Sequence, residues 1–470
     1  MIIDLLRDRG SAASRALAAG VAAVRRMRWL MFVLAIALFG VETAVLSVES
    51  ARETFGGMSE ADWAHTNYWL KSAECARATG AWLVTCDDDG RLRPLAEEAI
   101  GDDPGHALLL ATWAILGDRS LGLVDVAALN LLLNGLGFVS LAAFLFALRS
   151  YACALVFIYL GPVVYLRWTG VAPHWGLLGV ASMAAILPMA ILARHYGYLA
   201  RLKGMLFIAL GLAGLVLASL VREAIALMAL AASLSAIGFL MVRPGGVRPG
   251  RAGLCVLALA IIAVHWAPYA LYALRDALFD IEPSQLVQRH GFSDILYMGL
   301  GSVPNAFGIA YDDYLALAHA QRVDPDVVHC SPDFFRIMWS LYLDKLLSHP
   351  DEVARIYLEK AWLILADPVL EPGPPLGLLL ATGFALLLAG HRFRLWRRLG
   401  FPQGELILSA SLAFIALFVA QAVLASPDRG YAMPMGAAIL TLTGLLVSFL
   451  VRGGRTMLGE LLSARRRLSR

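Results

Sequence analysis

The chain has 470 residues, 59% of them hydrophobic and only 16% charged, with a net charge of +3. Soluble domains carry about a quarter charged residues, so this composition excludes a water-soluble globular protein. No Lys/Arg-rich segment points to nucleic acid, and none is expected as a partner. The repeated apolar runs, each close to the roughly 20 residues that cross a bilayer as a helix, predict an all-α polytopic membrane protein.

Taken in chain order, Arg25, Arg26 and Arg28 precede an apolar run over 29–47. No small-residue cleavage site closes it at a signal peptide's distance, so it reads as a retained first transmembrane helix. Glu42 lies within it. Residues 1–47 are therefore expected to form a cytoplasmic tail and a first span. The stretch 48–120 is the first large outer loop. In it Ser59 and Asp62 fit a capping box, opening a helix that stops at Gly80. Asp103 is placed to cap a second helix with Pro104 at its first position. Cys75 and Cys86 share this loop, and a disulfide between them is one reading.

Residues 121–273 hold six further spans, at 121–148, 150–167, 173–193, 204–221, 223–242 and 252–273. A second large outer loop follows over 274–373, in which Ser331-Pro332-Asp333 and His349-Pro350-Asp351 each open a helix. The helices of both outer loops carry apolar stripes and are expected along the membrane surface. Between His290 and Gly308 lies a compact glycine- and aromatic-rich stretch, the kind of loop that carries function or caps a bundle. Residues 374–470 hold spans at 374–390, 404–425 and 431–451, then a basic tail.

Orientation follows from the cations. Arg194, Arg201 and Lys203 mark one loop, and Arg243, Arg248 and Arg251 the next. Arg392, Arg394, Arg397 and Arg398 mark a third, and Arg452, Arg455, Arg465, Arg466, Arg467 and Arg470 the tail. Cytoplasmic loops carry such an excess. The expectation is about ten transmembrane helices, both termini inside, and two large extracytoplasmic loops. The matching location is a bacterial inner membrane, with the working face toward the periplasm.

No phosphate-binding loop, Cys-x-x-Cys or His-Glu-x-x-His motif is present. The chain instead projects Glu53, Glu60, Asp62, His65, Asp103, His106, Arg222, Glu223, His290, Lys360 and Arg429 to one side. Cations to grip a phosphate, an acid to activate a hydroxyl and apolar walls suit a phosphorylated amphiphile.

Glu60-Ala-Asp62-Trp63-Ala-His65, Thr79-Gly80-Ala81-Trp82, Asp103-Pro104-Gly105-His106, Leu220-Val221-Arg222-Glu223 and Asp428-Arg429-Gly430-Tyr431-Ala432-Met433-Pro434 occur in that order. In layout and in these motifs the chain resembles the GT-C class of membrane glycosyltransferases, and within it the protein O-mannosyltransferases and the aminoarabinose transferase of lipid A. The resemblance implies a GT-C-like fold and transfer of a sugar from a polyprenyl-phosphate donor to a glycan, lipid or protein acceptor. It implies Asp62 as the base with His65 beside it, Glu53 and Glu60 being the other acids that fit. Arg222, Arg429, Tyr431, His290 and Lys360 would hold the donor phosphate or sugar. Asp103, His106, Tyr297 and Asn305 would line the acceptor side.

No cofactor is required by this chemistry. Asp312-Asp313 is the one pair suggesting a divalent cation, and two acids alone make a weak metal signal. The competing readings are a lipid or polysaccharide transporter or flippase, and a noncatalytic membrane assembly subunit. Inverted repeats and mid-membrane helix breaks would mark the transporter.

Overall fold

The computed structural model describes residues 29–40, 60–95, 104–169, 178–242, 250–282, 286, 291–368, 374–392, 396, 399, 401–427 and 433–468, with side chains described except at 60–65, 161–169, 433 and 453–468. The described chain is helical apart from one hairpin, in which β1 (Val84–Cys86) pairs antiparallel with β2 (Leu92–Pro94). The helices before the bundle are α1 (Trp29–Gly40), α2 (Glu60–Thr79) and α3 (Gly105–Gly117). The bundle continues with α4 (Leu123–Ala147), α5 (Tyr151–Thr169), α6 (Leu178–His195), α7 (Arg201–Val221), α8 (Glu223–Val242), α9 (Arg251–His265) and α10 (Ala267–Phe279). Then come α11 (Phe292–Gly299), α12 (Asp313–Gln321), α13 (Pro332–Ser348) and α14 (Pro350–Ala366). The last three are α15 (Leu376–Arg392), α16 (Gln403–Leu424) and α17 (Gly436–Leu468).

Five of these, α4, α6, α7, α8 and α16, are long and apolar enough to cross a membrane. The pair α9–α10 qualifies as a sixth, bent by 49° at Trp266. Pro268 accounts for the bend, since proline removes one helical donor and crowds the carbonyl of the preceding turn. Shorter apolar helices occupy four more of the expected positions, at Trp29–Gly40, Tyr151–Leu160, Leu376–Arg392 and Gly436–Arg452. These helices are apolar on every side, as helices walled by protein on one face and lipid on the other must be.

α6 lies at the centre, packed by α4, α7, α8, α16 and α17, and it is the most enclosed of the candidate spans. Glycine sets the spacing. A Cβ at Gly211 would meet the Leu187 backbone at 2.7 Å, and one at Gly214 would meet Met183 at 2.7 Å. These contacts run α6 and α7 antiparallel. They make Gly179 level with the last turn of α7.

Hydrogen bonds sort the loops to two ends. At one end Tyr198 donates to the Pro402 carbonyl (3.4 Å), Gln403 to the Leu148 carbonyl (2.7 Å) and Arg452 to the Leu399 carbonyl (3.4 Å). Trp29 and Phe146 meet there too, 4.7 Å between rings. This is the arginine-rich end.

The other end carries two modules. One is built from α2, the hairpin and α3. The Cys75–Cys86 disulfide does form in it, with Cα atoms 5.5 Å apart. Ser72 donates to the Val84 carbonyl (2.7 Å), and fully buried Arg275 of α10 donates to the Leu83 carbonyl (2.9 Å). The second module, α11–α14, has its own core around Leu300, Phe334, Met338 and Ile356. Ser331 caps α13 by accepting from Phe334 N–H, as its Ser-Pro-Asp spelling predicts. His349 forms no such side-chain cap on α14.

Some boundaries differ from expectation. The loop expected from residue 274 begins after Phe279, because α10 continues as helix to that point. α17 runs unbroken to Leu468, past the expected end of its span at 451. The helix continues through Gly453 and Gly454 despite their low propensity, into a stretch rich in arginine and leucine, which are good helix formers.

Candidate functional site

α3 begins directly after Pro104, whose φ of −74° suits a helix entry. The second residue of the helix, His106, is enclosed. Its Nε2 lies 2.7 Å from Asn130 Oδ1, and its ring stacks on Trp69 at 4.2 Å between centroids. Because a carboxamide oxygen only accepts, this contact puts the proton on Nε2 and leaves Nδ1 as a bare lone pair. Nδ1 is buried with no hydrogen-bonding partner. Burial pushes the imidazole down to about 4, so it is neutral at pH 7.

α2 and α3 run parallel. Trp69 sits beside His106, and Arg77 pairs with Asp118 at 3.6 Å near both C-termini. The first half of α2 therefore projects past the start of α3. His65 is one turn and Asp62 two turns beyond Trp69, about 6 and 10 Å along the axis. Glu60 opens the same helix. The side chains of these three residues lie outside the described set.

One turn below Asn130 on α4 is Asn134, wholly buried. Its Oδ1 accepts from Gly179 N–H at 2.7 Å, while its Nδ2 has no partner. Gly137 permits this approach of α4 to α6, since a Cβ there would fall on the Gly179 carbonyl. A Cβ at Gly105 would likewise meet the Leu220 carbonyl at 2.8 Å, so the start of α3 sits on the last turn of α7. Arg222 follows immediately. It is half-buried and extended (φ −160°, ψ 99°), the single residue between α7 and α8. Glu223 next to it accepts from the Tyr269 hydroxyl of α10 at 3.2 Å.

His106, the two asparagines, the first turn of α6 and Arg222 thus lie near one another at the loop end, and the first half of α2 extends from the Trp69–His106 contact. α7 has 21 residues, about 30 Å of helix, which matches a hydrocarbon core of about 30 Å. Arg222 lies one residue past its end.

Three other expected site residues have different work. Lys360 is fully buried and its Nζ donates to the carbonyls of Gly299 (2.8 Å), Ala425 (2.7 Å) and Leu424 (3.2 Å). Burial pushes its ammonium down to about 7, while three carbonyl acceptors match the three donors of the protonated form. Its donors are consumed, so where the sequence reading placed a donor contact the geometry gives a clamp. It joins the 299–302 turn to the end of α16, helped by Ser302 donating to the Ala425 carbonyl at 3.0 Å.

Asn305, expected on the acceptor side, uses every polar atom on its own loop. Nδ2 donates to the carbonyls of Val303 and Ile309, and Oδ1 accepts from Phe307 and Ile309 N–H. Tyr297 is buried and its hydroxyl bonds His319 Nδ1 at 2.8 Å inside the second module. The glycine-rich stretch is therefore a cap fastened to α14, with Arg355 donating to the Pro304 carbonyl at 2.7 Å. Asp312 caps α12 by accepting from Leu315 N–H at 2.8 Å. Among the described residues no group of three His, Cys, Asp or Glu side chains is placed to hold a metal.

Glu53, Asp103, His290, Arg429 and Tyr431 lie outside the described residues. Sequence reasoning missed Asn130, Asn134 and Arg275. The two asparagines, one turn apart in an otherwise apolar run, were a usable signal, since polar side chains in a span are costly. Arg275 had none, because it reads as an ordinary interfacial cation until its burial is seen. Compared with known proteins, the chain matches no family model, no curated protein and no solved structure.

Proposed function

We propose that the chain is a GT-C-like glycosyltransferase that moves a sugar from a polyprenyl-phosphate donor to an extracytoplasmic glycan, lipid or protein acceptor. In this reading ten helices span a bacterial inner membrane. The arginine-rich end is cytoplasmic, and both modules lie outside. The observation that supports it is the grouping at the loop end: His106, against which the helix bearing Asp62 and His65 packs through Trp69, lies beside the last turn of α7, and Arg222 follows that helix of bilayer length. Known motifs in the same order add to it.

The chemistry is a single displacement. The Asp62 carboxylate takes the proton of an acceptor hydroxyl as its oxygen bonds the anomeric carbon. The anomeric carbon–oxygen bond breaks, and the lipid phosphate leaves with the electron pair. Arg222 stabilises that phosphate with a planar fork that gives two donors to one oxyanion. His106 is neutral and buried, so it shapes the wall and does not supply charge. Apolar walls hold the lipid chain of the donor, and no cofactor enters the step.

The test is turnover of a polyprenyl-phosphate sugar by the purified full chain in nanodiscs. Asp62→Asn is expected to lower the rate by roughly 10²–10⁴ while donor affinity stays near wild type. A fully active Asn variant moves the role to Glu53 or Glu60. The bend of 49° between α9 and α10 is the feature that favours a transporter instead. Flux of a labelled lipid-linked sugar across proteoliposomes without any transfer product would select that reading.

A further inference from the structure

A buried polar atom without a partner lies on α4 beside the start of α6. Asn134 Oδ1 takes the Gly179 N–H at 2.7 Å. That N–H is bonded to a side chain and not to a carbonyl four residues back, which marks it as one of the first-turn donors of the helix. The partner amide nitrogen, Asn134 Nδ2, then brings two more N–H groups to the same place. It is buried with nothing to accept them. Leaving a buried donor unmet is costly, and an amide inside an apolar span is retained where it has a use. The helix end and Arg222 are positive, and Glu223 beside Arg222 already accepts from the Tyr269 hydroxyl. The start of a helix carries a partial positive charge and outward-facing N–H groups, and Arg222 follows the turn of α7 that is level with Gly179.

We infer that Asn134 and the first turn of α6 form an oxyanion subsite whose ligand is a phosphate group, free or at the head of a lipid. The inference refines the phosphate site of the transferase reading and rests on it only for the identity of the lipid. Binding does not require sugar transfer. The division of labour is chemical. Arg222 supplies charge from the rim, and Asn134 with the helix end supplies neutral, fixed donors from below. Neutral donors hold a phosphate without the cost of burying a second cation. The close approach at Gly137 and Gly179 keeps the amide immobile, so little ordering is needed when the ligand enters. The subsite lies near the end of a helix of about 30 Å, the thickness of a hydrocarbon core.

The full chain in nanodiscs is titrated with farnesyl phosphate, farnesol and inorganic phosphate. Asn134→Asp keeps an acceptor for Gly179 N–H and replaces the donor amide by an acid. Asn134→Leu removes donor and acceptor without adding charge. Both variants are expected to lose about tenfold to a hundredfold in farnesyl phosphate affinity, with farnesol affinity unchanged. Competition by inorganic phosphate would show that the free anion suffices, and its failure to compete would show that the lipid-borne group is required. Three results each overturn the subsite: no binding of either phosphate by the wild type, unchanged affinity in Asn134→Leu, or equal losses for farnesol and farnesyl phosphate. A loss in the Asp variant alone does so too, since it reports repulsion and not a missing contact. A selective loss in both variants, alongside failed sugar transfer, would keep the subsite and remove the transferase reading.

Discussion

His106 shows how a residue that looks like chemistry can be held by packing. Its imidazole, ordinarily near 6.5, is pushed down to about 4 by burial. Between those two values the folded chain binds fewer protons than the unfolded one, so stability present above pH 6.5 is lost as the pH falls toward 4. His106→Gln abolishes that titration. The drop in melting temperature between pH 7 and pH 5 is expected to be smaller in the variant than in the wild type, measured side by side in the same detergent. Lys360 makes the opposite point, a cation that reads as a phosphate ligand and is spent on three carbonyls. Lys360→Met would leave those carbonyls unpaired in a dry place, a loss of about 2–4 kcal/mol. Hydrogen exchange should then rise locally at 299–302 and 424–426, and farnesyl phosphate affinity should stay within twofold. A loss of affinity without loosening would return Lys360 to the ligand site.

Among the elements, α2 matters most, because it carries Asp62 and His65 and its far end is held by several long-range ties. The Cys75–Cys86 disulfide, the Ser72 bond to β1 and the Arg275 bond to the Leu83 carbonyl fix that end. Leu83 itself holds a left-handed φ of 59°, a conformation that costs a side-chain-bearing residue energy and needs outside support. Replacing both cysteines by alanine is expected to cost about 2–4 kcal/mol and to open residues 80–95 to proteolysis. Arg275→Leu in that background should add to the effect. If the double alanine variant resists protease as the wild type does, the disulfide is not what secures α2. Of these ties only the cysteine pair was legible from spacing, because Arg275 is 192 residues from the carbonyl it binds.

For the whole molecule the arginine pattern and the hydrogen-bonded ends point the same way. In a cysteine-free background, Cys introduced at exposed Gly250 should resist a membrane-impermeant thiol reagent applied to intact cells. Cys introduced at exposed Ser348 should react. Reversed labelling would overturn the orientation and with it the external site.

Helix type, order and approximate ends follow from the sequence by itself, because apolar runs of bilayer length have only one low-energy backbone: a chain in lipid must satisfy its own hydrogen bonds. The Ser331 cap and the Pro104 entry were equally local and equally legible. What tertiary structure alone decided is which polar residues meet. Asn134 reaches Gly179 across a glycine contact, Lys360 reaches Leu424 and Ala425, and Arg275 reaches Leu83. Whether a buried polar group is a ligand, a clamp or a strut depends on how many of its donors a distant backbone has already taken, and one-dimensional spacing carries no record of that.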